Sequence, residues 1–374
     1  MDMKRIVCFA LVSLSSVSLF YAEETIPPGE AWNLGWPAMQ GPYGNFSVPQ
    51  TGATLVDDLS KARLVWETED KDFGRAKHTT GAFKAKTAEG RAQKILDILG
   101  PNPKATPGGW AAPIIAEGKL FATTFRPAGK LYDVQALAYD EKSRKNPAIA
   151  KARLEADDLV IAVDVRTGKT AWKAAEPGGF VWGVGKRNGF QVAPVYDGGR
   201  IYSMGTTGRI FAYAAANGKK LWQTEPEVRM IAERGKHLAR SNILQASANY
   251  AWQQSLVFAG DTLIVPRKTT LFGLDSANGK KKWELPKVIS RWNTPTVWRQ
   301  GKKEYLLCAT GGKPGEAQLN LVDPVAGKVL WAVGGLHSTQ FNLAPSGNHV
   351  LVNVGSKIMK ENPNGSSPKN ADGE

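Results

Sequence analysis

The hydrophobic and polar positions of this 374-residue chain repeat one short pattern in four places. An alternating apolar segment leads to an acidic residue, then comes a turn with glycine, and a second short segment ends in tryptophan. Alternation with a period of two is typical of a strand with one buried face. Asp or Asn beside Gly favours a tight hairpin, because glycine accepts the positive φ of the turn. Each copy therefore predicts two antiparallel strands that end in a large flat side chain.

The four copies align without gaps, with the glycine four residues and the acidic residue eight residues before the tryptophan. Ala214 takes the acidic position of the second copy. The positions that define the pattern are Ala162, Asp164, Gly168 and Trp172, then Gly218 and Trp222, then Asp275, Gly279 and Trp283, then Asp323, Gly327 and Trp331. A Trp ring at this place fills the wedge between two twisted sheets.

A second signal precedes each copy: a connecting segment, an apolar strand, a glycine turn and another strand. With the two strands of the repeat this makes a four-stranded blade, and such blades are the unit of β-propellers. We therefore predict an all-β propeller with four full blades, one partial blade and short helical insertions. The insertions are expected near residues 74–104 and 126–157, and helices are expected at 87–100, 146–156 and 227–244.

The expected domain organisation is an N-terminal extension at 23–54, a propeller at 55–355 and a polar tail at 356–374. Gln340–Pro345 begins a fifth connecting segment and His349–Gly355 another strand, with no Asp/Gly/Trp hairpin after them. The last residues are rich in Asn, Ser, Pro and Gly, which is typical of a loop or of disorder. The pattern indicates a partial version of a longer propeller.

Residues 1–22 have the features of a signal peptide, with Lys4 and Arg5 before an apolar stretch too short to span a membrane. The protein is therefore expected to be exported to the periplasm or outside the cell. Cys8 would leave with the signal, so Cys308 remains without a disulfide partner. Its apolar, strand-like surroundings predict a buried and inert thiol.

The formal net charge is +14. A solvated cationic surface is the simplest interpretation, and affinity for acidic polysaccharide or for envelope components is the more specific one. The sequence contains no nucleic-acid-binding motif, so nucleic acid is not an expected partner.

The first copy, Ala162-x-Asp164-x-x-Thr167-Gly168-Lys169-x-x-Trp172, resembles the tryptophan-docking motif of PQQ-dependent alcohol dehydrogenases and their non-enzymatic relatives. The opening Trp36–Phe46, followed by Leu55–Trp66, resembles the start of exported PQQ-like propellers of planctomycete-type bacteria. The resemblance implies a quinoprotein-like propeller over about residues 36–355. It also implies that Leu55–Trp66 completes the last blade, with Asp58 eight residues before its tryptophan.

The enzymes of this family hold a quinone on an aromatic ring, with a calcium ion and a catalytic Asp beside it and usually an adjacent Cys-Cys disulfide. Cys308 alone excludes that disulfide, and the connecting segments contain no acidic pair that indicates a calcium site. We therefore expect no cofactor and no catalysis. PQQ with calcium, in a dehydrogenase that oxidises alcohols or sugars, is the alternative. A polysaccharide lyase or hydrolase is not indicated, because the four His residues are scattered along the sequence and no acid/base group stands out.

The connecting segments of a propeller lie around its axis at one face, where ligands most often bind. Aromatic rings and amides there can stack on a sugar or a quinone and hydrogen-bond its rim, or the rings can wedge between blades. The candidate ligand-binding residues are Trp110, Gln191, Trp252, Gln253, Arg291, Trp292, Asn293, Phe341 and Asn342. The predicted function is an exported, non-catalytic scaffold that binds acidic glycans or envelope proteins.

Overall fold

The computed structural model describes residues 35–42, 44, 58, 60, 63–73, 111–132, 153–182, 192–224, 254–312, 315–336, 343–346 and 349–351. The predicted signal peptide and the helices expected at 87–100 and 227–244 lie outside these residues. The described residues form eighteen strands in five antiparallel sheets. In this part of the chain no helix is long and apolar enough to cross a membrane.

Four sheets have four strands each, and in every one of them strands that are consecutive in sequence are neighbours. Blade one contains β1 (Ile114–Ala116), β2 (Lys119–Tyr132), β3 (Arg153–Asp164) and β4 (Thr170–Trp182). Blade two contains β5 (Val195–Asp197), β6 (Arg200–Met204), β7 (Ile210–Ala214) and β8 (Lys220–Gln223). Blade three contains β9 (Val257–Ala259), β10 (Thr262–Arg267), β11 (Thr270–Asp275) and β12 (Lys281–Leu285).

Blade four contains β13 (Thr296–Gln300), β14 (Lys303–Ala309), β15 (Ala317–Asp323) and β16 (Lys328–Leu336). A two-stranded sheet follows, with β17 (Ala344–Ser346) and β18 (His349–Leu351). The prediction of an all-β propeller with four full blades and one partial blade is therefore confirmed.

Blade one differs from the sequence-based prediction at the start of β3. The helix predicted at 146–156 is wrong over its last residues, because β3 begins at Arg153. There β3 pairs with β2, with Arg153 opposite Tyr132, and this ladder extends the hairpin beyond the length of the other blades. Pairing with a neighbouring strand decides the conformation here, where local sequence preference alone favours a helix.

The apolar core lies in the seams between blades. The innermost strands β1, β5, β9, β13 and β17 contact one another in that order. Between blades one and two the buried cluster includes Phe121 and Phe211, and between blades three and four it includes Leu271 and Leu306. Each sheet therefore buries a face against the next sheet, as the blades of a propeller do.

Residues 36–42 and 44, here called the axial segment, lie along the inner edges of the blades. Trp36 and Ile115 exchange two backbone hydrogen bonds, of 2.6 and 2.9 Å. Two carbonyls farther along the segment accept the backbone N–H groups of Tyr196 at 2.8 Å and Val297 at 3.0 Å. The axial segment thus gives partners to inner-strand groups of blades one, two and four that would otherwise be an open edge.

Candidate functional site

Three of the four repeat tryptophans, and Trp66 before them, lie on the hairpin turn of the following blade. In each case the indole N–H donates to the carbonyl oxygen one residue beyond the acidic position of that turn. The pairs are Trp66 to Val165 at 2.7 Å, Trp172 to Ala215 at 2.9 Å, Trp222 to Ser276 at 3.0 Å and Trp283 to Pro324 at 2.9 Å. The same hydrogen bond therefore joins the Trp66 segment to blade one, and each of the first three blades to the blade that follows it.

The turn glycine is required by both its conformation and its contact with the ring. Gly218 has a φ of +73°, and a Cβ there would lie 2.6 Å from the ring of Trp172. Beside the corresponding glycine of blade one, the carboxylate of Asp164 accepts the backbone N–H groups of Arg166 and Thr167, each at 2.9 Å. These bonds, with that of the Thr167 hydroxyl, lower the pKa of Asp164. Its carboxylate shapes the turn.

Trp66 makes the same indole hydrogen bond to the turn of blade one, although residues 63–73 belong to none of the four-stranded sheets. Its segment is held by a second set of contacts, in which Lys173 of β4 pairs with the carboxylates of Asp70 and Asp72. Thr170 also donates to Asp70 at 2.7 Å. The segment that contains Trp66 therefore contacts the hairpin turn of blade one as the Trp172 strand of blade one contacts the turn of blade two.

Three of the nine candidate ligand-binding residues are described, namely Arg291, Trp292 and Asn293. The other six lie outside the described residues, and they are Trp110, Gln191, Trp252, Gln253, Phe341 and Asn342.

Hydrogen bonds join the described ends of the connecting segments in series around the axis. They run from Thr123 Oγ1 to the Val192 carbonyl at 2.8 Å, from Ala193 N to Ser255 Oγ at 3.1 Å, from Ser255 N to Thr294 Oγ1 at 3.0 Å and from Thr296 Oγ1 to the Leu343 carbonyl at 3.2 Å. Each of the four described blades is thereby tied to the connecting segment of the next sheet. Sequence reasoning missed these residues, although a Ser or Thr close to the start of a blade is a usable signal.

The connecting segment 286–295 is held by two buried amides. Gln254 Nε2 lies 3.0 to 3.1 Å from three carbonyl oxygens, those of Lys268, Ser290 and Asn293. Asn320 Nδ2 donates to another carbonyl of the segment, that of Val288, at a distance of 2.9 Å. Since buried amides hold the backbone at several points, the side chains that the segment presents to solvent are preorganised.

A cleft of about 570 Å³ lies beside this segment, between blades three and four. Its lining includes two positively charged side chains, those of Lys287 and Arg291, and the half-buried ring of Trp292. The guanidinium of Arg291 lies 5.8 Å from the centre of that ring. None of the described lining residues is acidic. We call this region the blade-3/4 cleft.

Asn293 differs from its two neighbours. Its side chain is buried, does not line the blade-3/4 cleft, and has no hydrogen-bond partner among the described residues at either polar atom. The structure therefore brings Arg291 and Trp292 together at one cleft and places Asn293 beneath the surface.

Two buried carboxylates lie between blades one and two, and sequence reasoning did not select either. Asp158 accepts the backbone N–H and the hydroxyl of Thr206, at 3.1 and 2.8 Å. Burial raises the pKa of Asp158 to about 6, although these hydrogen bonds act in the opposite direction. Glu176 accepts the Tyr213 hydroxyl at 3.1 Å and the Lys220 ammonium at 2.8 Å. These groups connect blades and do not open to solvent.

The described residues do not by themselves supply a calcium site. No three or more His, Cys, Asp or Glu side chains of this part of the chain converge on one point, whereas calcium takes six or more oxygen ligands. Cys308 is buried and free, as predicted, and burial raises the pKa of its thiol. A thiol held protonated in this way is not a nucleophile.

The family described as outer membrane protein assembly factor BamB matches residues 156–334. Over these residues the chain is similar to PQQ-like repeat proteins. The four-stranded sheets of the described residues, joined by tryptophan-docking turns, have the blade architecture of a β-propeller. The planctomycete-type origin stays a prediction. No curated protein sequence matches the chain significantly.

Three solved structures show a distant likeness. BamB from Moraxella catarrhalis is 18% identical with a TM-score of 0.33, over 52% of this chain and 50% of that chain. The quinohemoprotein alcohol dehydrogenase ADHIIG from Pseudomonas putida HK5 is 14% identical with a TM-score of 0.34, over 62% and 42%. The quinohemoprotein alcohol dehydrogenase from Comamonas testosteroni is 16% identical with a TM-score of 0.33, over 61% and 43%. The chain spans half the length of these proteins or less, and this likeness does not separate a scaffold from an enzyme.

Proposed function

We propose that this protein is an exported, non-catalytic PQQ-like propeller that binds an acidic glycan in the blade-3/4 cleft. The observation that carries the proposal is the composition of that cleft. Lys287 and Arg291 supply two cations to the cleft that the ring of Trp292 also lines, and the described lining has no acidic side chain. The net charge of +14 attracts an anionic polymer to the same molecule.

The three side chains match the chemistry of a uronic acid. A guanidinium binds a carboxylate through two parallel hydrogen bonds, which an ammonium cannot do. An indole ring offers the flat apolar surface on which a sugar ring stacks. Because Gln254 and Asn320 fix the backbone of the connecting segment, little ordering cost remains for binding.

An envelope protein with an acidic segment is the other partner class. The matching family is described as an assembly factor of outer membrane proteins. Such a segment would use the same cations, but it would gain less from Trp292. A quinoprotein dehydrogenase is supported by the resemblance alone, and no observation among the described residues favours it.

The test compares acidic and neutral polymers by isothermal titration calorimetry. The mature protein is titrated with polygalacturonate and with dextran of the same length. Arg291→Ala and Trp292→Ala are each expected to weaken polygalacturonate binding at least tenfold, about 1.4 kcal/mol. The control is Lys302→Ala, which removes one exposed positive charge at the opposite end of blade four and should change binding less than twofold.

Equal binding of both polymers, or equal affinity of all three variants, would contradict the glycan proposal. A parallel titration with PQQ and calcium checks the enzyme alternative. Bound-quinone absorbance together with dye reduction by alcohols would replace the scaffold interpretation.

A further inference from the structure

Blade one has two apolar faces, and one of them packs against blade two. On strand β2, Phe121 belongs to the buried cluster that blade one shares with blade two. Side chains alternate across a sheet, so Leu120, Ala122 and Thr124 lie on the opposite face. Residues 63–73 contribute two aromatic rings that pack on this second face. A short segment, and no four-stranded sheet of the described residues, therefore covers it.

The cover leaves a cavity of about 280 Å³ between this segment and the sheet, here called the blade-1 cavity. The apolar part of its lining includes Trp66, Phe73, Leu120, Ala122 and Val163. Pro113, an exposed residue, also lines it, so the cavity opens to solvent. An apolar cavity of about 150 Å³ is enough to hold benzene. The blade-1 cavity therefore has room for a molecule of two fused rings.

The described lining of the blade-1 cavity contains no charged side chain. Asp70 and Asp72, on the segment that covers the face, are paired with Lys173. The indole N–H of Trp66 donates to the Val165 carbonyl at 2.7 Å, so it has no hydrogen bond left for a ligand. A charged molecule would lose its hydration in this cavity and gain no partner of opposite charge. The lining therefore selects a neutral molecule.

One buried polar group in the lining is not used by the protein. Thr124 is 4% exposed, and its hydroxyl has no hydrogen-bond partner among the described residues. Its neighbour Thr123, on the other face of β2, donates to the Val192 carbonyl at 2.8 Å. Leaving a buried hydroxyl without a partner is costly, and a ligand group that bonds to it removes this penalty. Thr124 therefore specifies one hydrogen bond to the ligand.

We propose that the blade-1 cavity binds a neutral, flat aromatic molecule of two fused rings that carries one hydroxyl or N–H group. The rings of Trp66 and Phe73 contact the apolar body of this molecule. The hydroxyl of Thr124 bonds to its polar group. The blade-1 cavity and the blade-3/4 cleft have no described residue in common, so this inference is independent of the proposed glycan binding.

Equilibrium dialysis of the full chain against three naphthalene derivatives tests the proposal. We expect saturable binding of 2-naphthol, which is neutral at pH 7, and no measurable binding of the anion 2-naphthoate. The third probe, 2-methylnaphthalene, has the size of 2-naphthol but no hydroxyl. Absence of saturable 2-naphthol binding, or equal binding of 2-naphthol and 2-naphthoate, would overturn the proposal.

Thr124→Val removes the hydroxyl and keeps the shape of the side chain. It should weaken 2-naphthol binding about fivefold to tenfold and change 2-methylnaphthalene binding less than about twofold. The matched control is Thr207→Val, which removes another buried hydroxyl without a described partner, in blade two, and should leave both affinities unchanged. Equal 2-naphthol affinities of Thr124→Val and the parent chain would contradict the proposed hydrogen bond.

Fluorine NMR of the chain labelled with 5-fluorotryptophan locates the ligand, with the Trp66 signal assigned by Trp66→Phe. Saturation with 2-naphthol should shift the Trp66 signal and leave that of Trp292, in the blade-3/4 cleft, unchanged. Ala122→Leu fills the cavity and should abolish this shift, while an unchanged Trp222 signal reports that blade two remains folded. A ligand-induced shift at Trp292 with none at Trp66 would place the ligand elsewhere and overturn the proposal.

Discussion

The seam between blades one and two and the seam between blades three and four share one docking contact and differ in almost everything else. In the first seam the cluster contains several aromatic rings, with those of Trp172 and Tyr213 centred 6.3 Å apart. Buried carboxylates also cross this seam. In the second seam the buried cluster is aliphatic around Cys308.

The difference shows what the repeat controls. In both seams a tryptophan donates to the turn of the next blade across a glycine, so the same contact joins the blades. The remaining seam residues need only fill that space and satisfy their polar atoms. One seam does this with hydrogen-bonded carboxyl groups such as that of Asp158, and the other with aliphatic side chains such as Leu306.

The largest expected effect is in the aliphatic seam. Leu306→Ala removes a fully buried side chain and should lower the free energy of unfolding by about 3 kcal/mol, because a cavity remains. Urea unfolding followed by tryptophan fluorescence measures it. The control Leu330→Ala, at an exposed position of β16, should cost less than about 0.5 kcal/mol. Similar losses in the two variants would show that the aliphatic seam does not limit stability.

The next effect concerns pH and belongs to the polar seam alone. The pKa of Asp158 in the folded protein, about 6, is raised above its ordinary value of 3.8. Between these values the folded state keeps a proton that the unfolded state has released. The contribution of Asp158 to stability is therefore complete below pH 4 and is lost as the pH rises to 6, by about 1.4 kcal/mol per pH unit.

Asp158→Asn should remove this part of the pH dependence. The measurement is the urea midpoint at several pH values from 4 to 7, taken as the difference between variant and parent, so that carboxylates of lowered pKa such as Asp70 cancel. Parallel curves for the two proteins would show that Asp158 is not protonated in the folded state in this range.

The smallest effect is expected at the edge of the same seam. Lys220 pairs with Glu176 at 2.8 Å, but its side chain is 41% exposed, so solvent screens much of the interaction. Lys220→Ala should cost about 0.5 kcal/mol, and the difference from the parent should shrink in 1 M NaCl. A loss above about 2 kcal/mol that persists in high salt would mean that the pair acts as a buried one. Lys219→Ala, one residue earlier and exposed, is the control.

Much of the fold could be predicted from the sequence, and little of the site. The strands, the hairpin turns and the four-blade count were accessible because each repeat is local and copied. The helix expected at 146–156 failed at its end, since pairing between β2 and β3 depends on residues far apart in the chain. Arg291 and Trp292 were selected as candidates, whereas Gln254, which holds their segment, was not.

The sequence by itself determined the unit of this protein: an alternating strand, a glycine turn and a docking tryptophan, each required by short-range geometry. Only the tertiary structure decided how the units meet. It placed the axial segment along three inner strands, with Gln40 bonded to Thr296 across 256 positions of sequence. It also put Asp158 in a buried seam, which raises its pKa, and joined two cations and an indole in the blade-3/4 cleft. These properties depend on burial and on contacts between residues far apart in the sequence. A local sequence pattern contains no information about either.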